Sequence, residues 1–546
     1  MTTPAEEHVR LALQHHQAGR HADAEDAYRR VLAADPQHAG ALHGLGALAL
    51  QADEPAVAEQ LIRRAIAVRG EWPEACYHLG VALQGREQFD EAIAAFRRAA
   101  ALNPALFDAH YQMAVCLQLT GQRVKAIAEY RQAIALRAND PLLLTNFAIA
   151  LQGGQDAGQC DEAIAALRQA TALKPDFAEA FIQLGSALRA ADRLGESIAA
   201  FVRATELKPP SHSAWTNLAA AYRETGRIGE AIAAQKRAVA LRPDDAESNW
   251  TLANLLLLGG DAEQGRKLLD WRWKRKTLPW PRRRFSQPAW TGDDLAGRTI
   301  YLHAERSFGD AIHFARYVPL VAQRGGKLIV ECQPALRRLF VESFGPAVRH
   351  WFSPGEPAPA FDVYCPLLDL PRVLGTVPAD VPYLRVSPQA AETWRDKVGG
   401  VPGVLNVGIA WAGSRSEIED RQRSMSPDII APLANVQGIR LFSLQKGRAV
   451  AGITNLTADL ADFADSAALV NQIDLVISVD TAVAHLAGAL GKPVWVLLPF
   501  VPHWRWGMHG ETTPWYPTMR LFRQTSGGDW VEVVRRVVVA LQSLLV

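Results

Sequence analysis

The sequence predicts an α-solenoid of helical repeats in the first half of the chain and an α/β region with two Rossmann-like domains in the second half. Residues that end helices recur at a near-constant spacing through the first half, which is the signature of a repeat array. From residue 298 onward, short apolar runs alternate with longer amphipathic segments, as parallel strands alternate with the helices that connect them. A chain of 546 residues also exceeds what one hydrophobic core holds, so several domains are expected.

The repeats are defined by the residues that end successive helix pairs. The spacing is 34 residues, except for one step of 37 that holds a three-residue insertion in the turn 153–158. Small residues recur where two helices pack closely, and an aromatic residue fills the gap between repeats, as with Gly80 and Phe96. This pattern resembles tetratricopeptide repeats, with seven repeats and a partial eighth from residue 6 to residue 273. The positions in register are Pro36, Gly70, Pro104, Ala138, Pro175, Pro209 and Pro243.

The sixth position of each repeat is expected to face the concave groove, along which such solenoids bind their partners. Four consecutive repeats carry a carboxamide there, at Gln112, Asn146, Gln183 and Asn217. A carboxamide offers a donor and an acceptor, so it can pair with an extended peptide backbone without reading side chains. The set resembles the asparagine ladder of O-GlcNAc transferase, which implies an acceptor protein or peptide in the groove. Ordinary solvated polarity is the alternative.

The segment 271–284 joins the two halves and mixes basic with aromatic residues. We predict a docking segment, in which Trp residues cover the last repeat and Arg residues pair with acidic residues of the second half. The alternative is stacking on nucleic-acid bases, to which such mixtures are also suited. We place a linker at 274–297.

Predicted strands and helices alternate regularly in the second half. We place one Rossmann-like domain at 298–384 and another at 385–546. Two such domains leave a cleft towards which the carboxyl ends of their strands point. The predicted strands are 298–303, 327–331, 361–364, 405–411, 439–444, 475–479 and 494–498, and predicted helices include 311–323, 334–344 and 529–545.

A strand–helix–strand unit spans residues 474–499, and its sharp turn falls on Asp480-Thr481. Backbone N–H groups at a helix N-terminus are unpaired and lie at the positive end of the helix dipole. The turn is therefore a candidate phosphate site. The alternative is that the two residues only cap the helix.

The string from Asp480 to Ala487 resembles the nucleotide-sugar motif of the heptosyltransferase-like enzymes of glycosyltransferase family 9, which have the two-domain GT-B fold. The resemblance implies that Asp480, Thr481 and Ala482 contact the donor diphosphate and its sugar, with His485 one turn further along. Ala482 stands where the family commonly has Gly, and it still lets a backbone amide approach the donor.

A second family feature is Gly309-Asp310, in the first strand–helix turn of the second half. The resemblance implies that Asp310 is the base that takes the proton of the acceptor hydroxyl, with Gly309 beside the donor. Inverting glycosyl transfer needs such a base opposite the leaving diphosphate. The preceding Arg306-Ser307-Phe308 departs from the Gln-Gly-Leu of relatives, which leaves the shape of this loop open. Asp310 as a helix N-cap is the alternative.

Two further loops are expected at the cleft. In the loop 412–425, relatives place a cation on the donor phosphates, which would stabilise the departing diphosphate. For this cation, Arg423 is the first choice and Arg421 the alternative. Ser414 and Ser424 of the same loop are expected to contact the donor as well. Gln445 and Lys446 follow a predicted strand where the family binds the base or ribose.

Two aromatic motifs follow the predicted strand 494–498. They are Trp504-Arg505-Trp506 and Trp515-Tyr516. They are suited to framing a sugar or an acceptor by stacking and hydrogen bonding. They are equally suited to the core, and the sequence leaves both interpretations open.

Composition limits the classes of partner. The 58 Lys and Arg residues balance 57 Asp and Glu residues, so nothing favours nucleic acid or an anionic membrane.

No run of 18 apolar residues exists, and therefore no transmembrane segment is predicted. The N-terminus lacks the apolar core of a signal peptide. Five cysteines without a CxxC pair favour a reducing cytoplasm. No cluster has metal-ligand spacing, so we expect no metal and no cofactor, the nucleotide-sugar being a substrate.

Together these features predict a cytoplasmic glycosyltransferase of GT-B fold, inverting and metal-independent. It would move a sugar from a nucleotide-sugar donor to a protein acceptor held by the repeats. Flagellin is the first acceptor to try, since bacterial relatives with this architecture glycosylate it. The alternatives are a lipid-linked or polysaccharide acceptor, and a non-catalytic scaffold whose transferase half has decayed.

Overall fold

The fold is described from a computed structural model. It describes residues 4–154, 156–276, 283, 285–305, 307–378, 380–413, 423–447 and 450–545. The chain forms two compact units, Met1–Ala221 and Tyr222–Val546. The second unit contains the last repeat helices together with the α/β half. Among the described residues, no helix is both long and apolar enough to cross a membrane.

The first unit is built of paired helices with small residues at their contacts. A Cβ atom added at Gly80 would lie 2.5 Å from Phe96 Cε1, and one at Gly185 would lie 2.6 Å from Phe201 Cε1. Glycine therefore allows the close approach that the repeat pattern predicts. The helices are α1 (Pro4–Gln17), α2 (His21–Ala34), α3 (Ala39–Gln51), α4 (Pro55–Arg69), α5 (Pro73–Gly85), α6 (Phe89–Leu102), α7 (Phe107–Leu119), α8 (Arg123–Leu136), α9 (Pro141–Gln152), α10 (Ala157–Leu173), α11 (Ala178–Ala190), α12 (Leu194–Glu206) and α13 (His212–Glu224), the last of which continues into the second unit.

The second unit begins with the end of the repeat array. Its helices are α14 (Ile228–Leu241), α15 (Ala246–Leu258) and α16 (Ala262–Leu268), followed by a 3-10 turn at Leu269–Lys274. Trp250, Leu257 and Leu269 are buried in a cluster against which Trp504 of the α/β half packs. The last repeat and the α/β half thus share apolar contacts.

Two parallel sheets form the α/β half of the described chain. The first has the strand order β3-β2-β1-β4 and the second the order β10-β9-β8-β5-β6-β7. The strands are β1 (Thr299–His303), β2 (Lys327–Glu331), β3 (His350–Phe352), β4 (Val363–Pro366), β5 (Leu405–Ala410), β6 (Ile439–Ser443), β7 (Thr454–Asn455), β8 (Leu475–Val479), β9 (Val494–Leu498) and β10 (Met519–Arg523). The helices are α17 (Phe308–Ala315), α18 (Val318–Ala322), α19 (Pro334–Phe344), α20 (Leu370–Leu374), α21 (Pro388–Val398), α22 (Pro427–Ile430), α23 (Phe463–Asn471), α24 (Ala482–Ala489) and α25 (Trp530–Leu544).

Every residue of β8 and β9 is buried, as expected for central strands covered on both faces. In each sheet the strand order reverses direction at one point, between β1 and β4 in the first and between β5 and β8 in the second. Ligands of open parallel sheets bind at such switch points, outside the carboxyl ends of the strands. This topology directs the search for a site to the loops after β1, β5 and β8.

The helix predicted over 311–323 is divided in the structure. Helix α17 begins earlier, at Phe308, and ends at Ala315, and α18 begins at Val318. Pro319 occupies the first turn of α18, where its missing N–H costs nothing but prevents one continuous helix. The early start places Gly309-Asp310 in the first turn of α17.

Arginines of the junction pair with acidic residues of the α/β half, which confirms that part of the docking prediction. The Arg272 guanidinium is fully buried and donates to the Glu305 carboxylate at 2.9 and 3.0 Å and to Asp369 at 2.9 Å. Arg283 pairs with Glu331. The Trp273 ring lies 6.4 Å from the His303 ring of β1, and Trp280 lies outside the described residues.

Candidate active site

Turns from both sheets meet beside the start of α24. A Cβ atom added at Gly309 would lie 3.2 Å from His485 Cδ2 and 3.6 Å from Ala482 Cα. A glycine at this point lets α17 approach the N-terminus of α24 closely. Asp310 of the first sheet's domain therefore lies near the Asp480-Thr481 turn of the second.

Thr481 holds the N-cap position of α24, but its side chain makes no capping hydrogen bond. Its hydroxyl lies 3.0 Å from the Ser478 hydroxyl instead. Asp480 is buried, and its Oδ1 lies 3.7 Å from His485 Nε2. The Thr481 hydroxyl therefore does not cap the first turn of α24.

The cap of α17 is Ser307, not Asp310. The Ser307 hydroxyl accepts from the Asp310 N–H at 3.3 Å and donates to Asp310 Oδ2 at 3.1 Å. The other carboxylate oxygen, Oδ1, accepts from the Arg505 guanidinium. The Asp310 side chain is 12% exposed and that of Arg505 7% exposed. Asp310 is consequently a largely buried carboxylate held in one orientation, as a base requires.

Arg505 belongs to the Trp504–Trp506 turn, for which the sequence left two interpretations open. Trp506 is in the core, whereas the Arg505 guanidinium carbon lies 5.3 Å from the Phe314 ring and pairs with Asp310. The motif therefore contributes to both core and site. Sequence reasoning missed the pairing with Asp310, because nothing local in the sequence marks a partner 195 residues away.

The Tyr516 hydroxyl connects two buried histidines below the site. It lies 3.1 Å from His485 Nδ1 and 3.1 Å from His313 Nδ1. Burial, with Arg316 and Arg423 nearby, lowers the pKa of His485 to about 3, so the ring is neutral near pH 7. A hydroxyl has one proton to donate, and at least one of the two rings must therefore donate to Tyr516. This network joins α17 to α24.

A cavity of about 180 Å³ lies beside Asp480. One wall comes from the α/β half and contains both Arg423 and Asp480. The other wall comes from the last repeats and contains Thr251, which is the sixth residue of α15. The lining residues are Arg223, Trp250, Thr251, Asn254, Leu255, Leu258, Arg423, Asp480, Pro499, Val501, Pro502, His503 and Trp504. Repeat residues therefore help to enclose a site that the sequence assigned to the α/β half alone.

The loop after β5 is held by two of the predicted donor contacts. The Ser424 hydroxyl accepts from the Gly413 N–H at 2.9 Å, and Gln445 Oε1 accepts from the Ala412 N–H at 3.1 Å. Lys446 Nζ donates to the Leu460 carbonyl at 2.8 Å. The cavity lining does not include these three residues. The candidates Ser414 and Arg421, together with Arg306, lie outside the described residues.

The carboxamides of the repeats share one helical position. Each is the sixth residue of its helix, in α7, α9, α11 and α13, and each is half-buried. The Asn146 amide donates to the Tyr111 hydroxyl at 2.8 Å, and the Gln183 amide donates to Glu179 Oε1 at 2.7 Å. Two of the four groups thus already have a side-chain partner within the repeats. The four residues are Gln112, Asn146, Gln183 and Asn217.

Family models match both halves of the chain. Models described as tetratricopeptide repeat match residues 15–75, 73–106, 155–212, 182–246 and 216–270. The model described as glycosyltransferase family 9 (heptosyltransferase) matches residues 441–522, a range that contains Gln445, Asp480 and His485. The chain therefore carries tetratricopeptide repeats and a glycosyltransferase family 9 domain.

Individual proteins resemble parts of the chain. Protein FlbA of Caulobacter vibrioides is 26% identical over 343 residues, which are 55% of this chain and 55% of FlbA. The chain thus spans about half the length of this curated relative. The crystal structure of MamA is 25% identical with a TM-score of 0.28, over 32% of this chain and 96% of MamA. The structure of pilF from Pseudomonas aeruginosa is 17% identical with a TM-score of 0.34, over 38% of this chain and 94% of that protein.

Proposed function

We propose that this chain is a glycosyltransferase of GT-B fold that moves a sugar from a nucleotide-sugar to a protein acceptor. The observation that carries the proposal is the approach of Gly309 to Ala482 and His485, because it brings the candidate base to the candidate donor helix. The family 9 match over residues 441–522 supports the nucleotide-sugar donor. The transfer would be inverting and would need no metal or cofactor. Five cysteines without a CxxC pair support a cytoplasmic reaction.

The donor diphosphate would lie at the N-terminus of α24. The helix amides there favour an anion, and the Thr481 hydroxyl and the Ala482 amide would donate to it. Arg423 lines the same cavity as Asp480, where a fixed positive charge would stabilise the departing nucleoside diphosphate. Asp480 would accept a hydrogen bond from a hydroxyl of the sugar.

Asp310 would act on the acceptor. Its carboxylate takes the proton of the acceptor hydroxyl while the oxygen attacks the anomeric carbon from the face opposite the diphosphate. The bond between that carbon and the diphosphate breaks, and the nucleoside diphosphate leaves with the electron pair. Ser307 and Arg505 hold the carboxylate, so its orientation is set before the acceptor arrives.

The first prediction concerns the donor. Asp480→Ala should weaken nucleotide-sugar binding by roughly 10- to 100-fold, because a hydrogen bond to a charged group is worth roughly 1.5–3 kcal/mol. Calorimetry of the full chain against UDP-, ADP- and CMP-sugars measures it. Asp529 caps α25 by accepting from the Glu532 N–H, so Asp529→Ala controls for loss of an acidic side chain at a helix start. Equal donor affinity in folded Asp480→Ala would remove Asp480 from the site.

The acceptor would lie along the repeats, and the four carboxamides would pair with its backbone. Thr251 holds the same sixth position in α15 and lines the cavity. Flagellin is the first acceptor to try, from the resemblance to bacterial proteins of this architecture. A lipid-linked acceptor would make no use of the carboxamides.

The second prediction tests this groove by changing Gln112, Asn146, Gln183 and Asn217 together to Ala. Because two of the amides must exchange an existing partner, we expect about 0.5 kcal/mol from each, or roughly 2 kcal/mol and a thirtyfold higher acceptor KM. Donor affinity should not change. The control is the double variant Gln60→Ala and Gln132→Ala, which changes two exposed carboxamides on α4 and α8 and should leave the acceptor KM unchanged. An unchanged acceptor KM would assign acceptor selection to the α/β half.

A further inference from the structure

The candidate donor cavity has charged residues on both of its walls. The α/β wall carries Arg423 and Asp480, and the repeat wall carries Arg223. His503 adds a titratable ring on the α/β side. The last repeats therefore contribute a cation to a cavity in which an anionic leaving group is expected.

Arg223 lies near the carboxyl end of α13 and is half-buried. Its guanidinium has no ion pair or hydrogen bond with another described side chain or carbonyl group of the chain. Other arginines nearby in the sequence are paired, such as Arg227 with Glu230 and Arg275 with Glu247. A half-buried cation in a cavity loses part of its hydration without gaining a protein partner. This is unfavourable unless a ligand supplies a negative charge.

The charge balance of the cavity points to a phosphate group. A diphosphate carries at least two negative charges, and the Asp480 carboxylate on the same wall repels them. Arg423 alone offsets only part of this repulsion. A guanidinium matches a phosphate with two parallel N–H donors, and such charge-assisted bonds are among the strongest in proteins.

We propose that Arg223 of the last repeats binds the diphosphate of the nucleotide donor together with Arg423. The proposal rests on the donor site described under the proposed function. It adds that the repeats complete this site: the donor is bound between the repeat wall and the α/β wall.

Calorimetric titration of the full chain tests the proposal, with UDP, ADP, GDP and CMP, and with uridine, adenosine, guanosine and cytidine as phosphate-free probes. Arg223→Gln should lower the affinity for the nucleotide that binds by about tenfold or more, and should leave the affinity for its nucleoside unchanged. The salt dependence of nucleotide binding should also become weaker, because one phosphate contact is lost. Arg237→Gln, on the exposed side of α14, removes the same charge from the repeats and should have no effect.

Two results separate this proposal from the donor site on which it rests. Unchanged nucleotide affinity in Arg223→Gln, with a clear loss in Arg423→Gln, would overturn the role of Arg223, and a loss of transfer alone would then assign Arg223 to the acceptor. Unchanged nucleotide affinity in Arg423→Gln, together with unchanged nucleotide-sugar affinity in Asp480→Ala, would overturn the donor site itself. An equal loss of nucleoside and nucleotide binding in Arg223→Gln would also contradict a phosphate contact.

Discussion

Asp310→Asn should abolish most transfer while leaving the donor bound. The amide keeps the size and polarity of the carboxylate but cannot take the acceptor proton, and a positioned base is worth roughly 100-fold or more in turnover. Donor affinity should stay near that of the wild type, because Asp310 lies on the acceptor side of the reaction. Single-turnover transfer at saturating donor, with calorimetry of the donor, measures both quantities.

The control for this variant must also break an Arg–Asp pair. Asp462, the N-cap of α23, accepts from Arg338 of α19 at 2.8 and 2.6 Å, and this pair also joins the two α/β domains. Asp462→Asn removes comparable charge away from the cavity, so its turnover should remain near the wild-type value. Near-normal transfer by Asp310→Asn would mean that another residue takes the proton and that Asp310 serves only to bind Arg505.

Arg272→Leu should destabilise the second unit strongly. The Arg272 side chain is fully buried, and its partners Glu305 and Asp369 are 2% and 6% exposed. Removing the cation breaks a buried ion-pair cluster, which costs about 3–5 kcal/mol, although Arg372 remains 3.7 Å from Asp369. Chemical denaturation followed by tryptophan fluorescence gives the loss of unfolding free energy.

Arg520→Leu is the matched control in the same unit. Its partner is Glu511 at 3.1 Å, and the two side chains are 49% and 69% exposed. An exposed pair contributes about 0–1 kcal/mol, so the control should unfold close to the wild type. A loss below about 1 kcal/mol in Arg272→Leu would show that the junction does not stabilise this unit. Glu305 lies two residues before Ser307, so a displaced Glu305 should also reduce transfer.

The repeats were predictable because their signal is periodic. Each of the four carboxamides falls at the sixth residue of its helix, in steps of 34, 37 and 34 residues. The pairing of Gly80 with Phe96 and of Gly185 with Phe201 follows from residue size alone. These contacts are local in sequence, so composition and spacing were enough to place them.

Other features depend on contacts that are distant in sequence. The ion pair of Arg505 with Asp310 joins residues of the two α/β domains, and no spacing rule connects them. The wall formed by Arg223 and Thr251 arises only when the last repeats pack on the α/β half. The three-residue strand β3 and the two-residue strand β7 are too short for a periodic signal.

The most direct test of the proposed transfer is the intact mass of an acceptor protein. Purified chain is incubated with flagellin and each nucleotide-sugar of the calorimetric panel, and the flagellin is then weighed by mass spectrometry. We expect a mass increase of one or more sugar residues with one donor, which Arg237→Gln retains and Asp310→Asn loses. An unchanged flagellin mass with every donor, from wild-type chain that binds one of them, would contradict a protein glycosyltransferase acting on this acceptor.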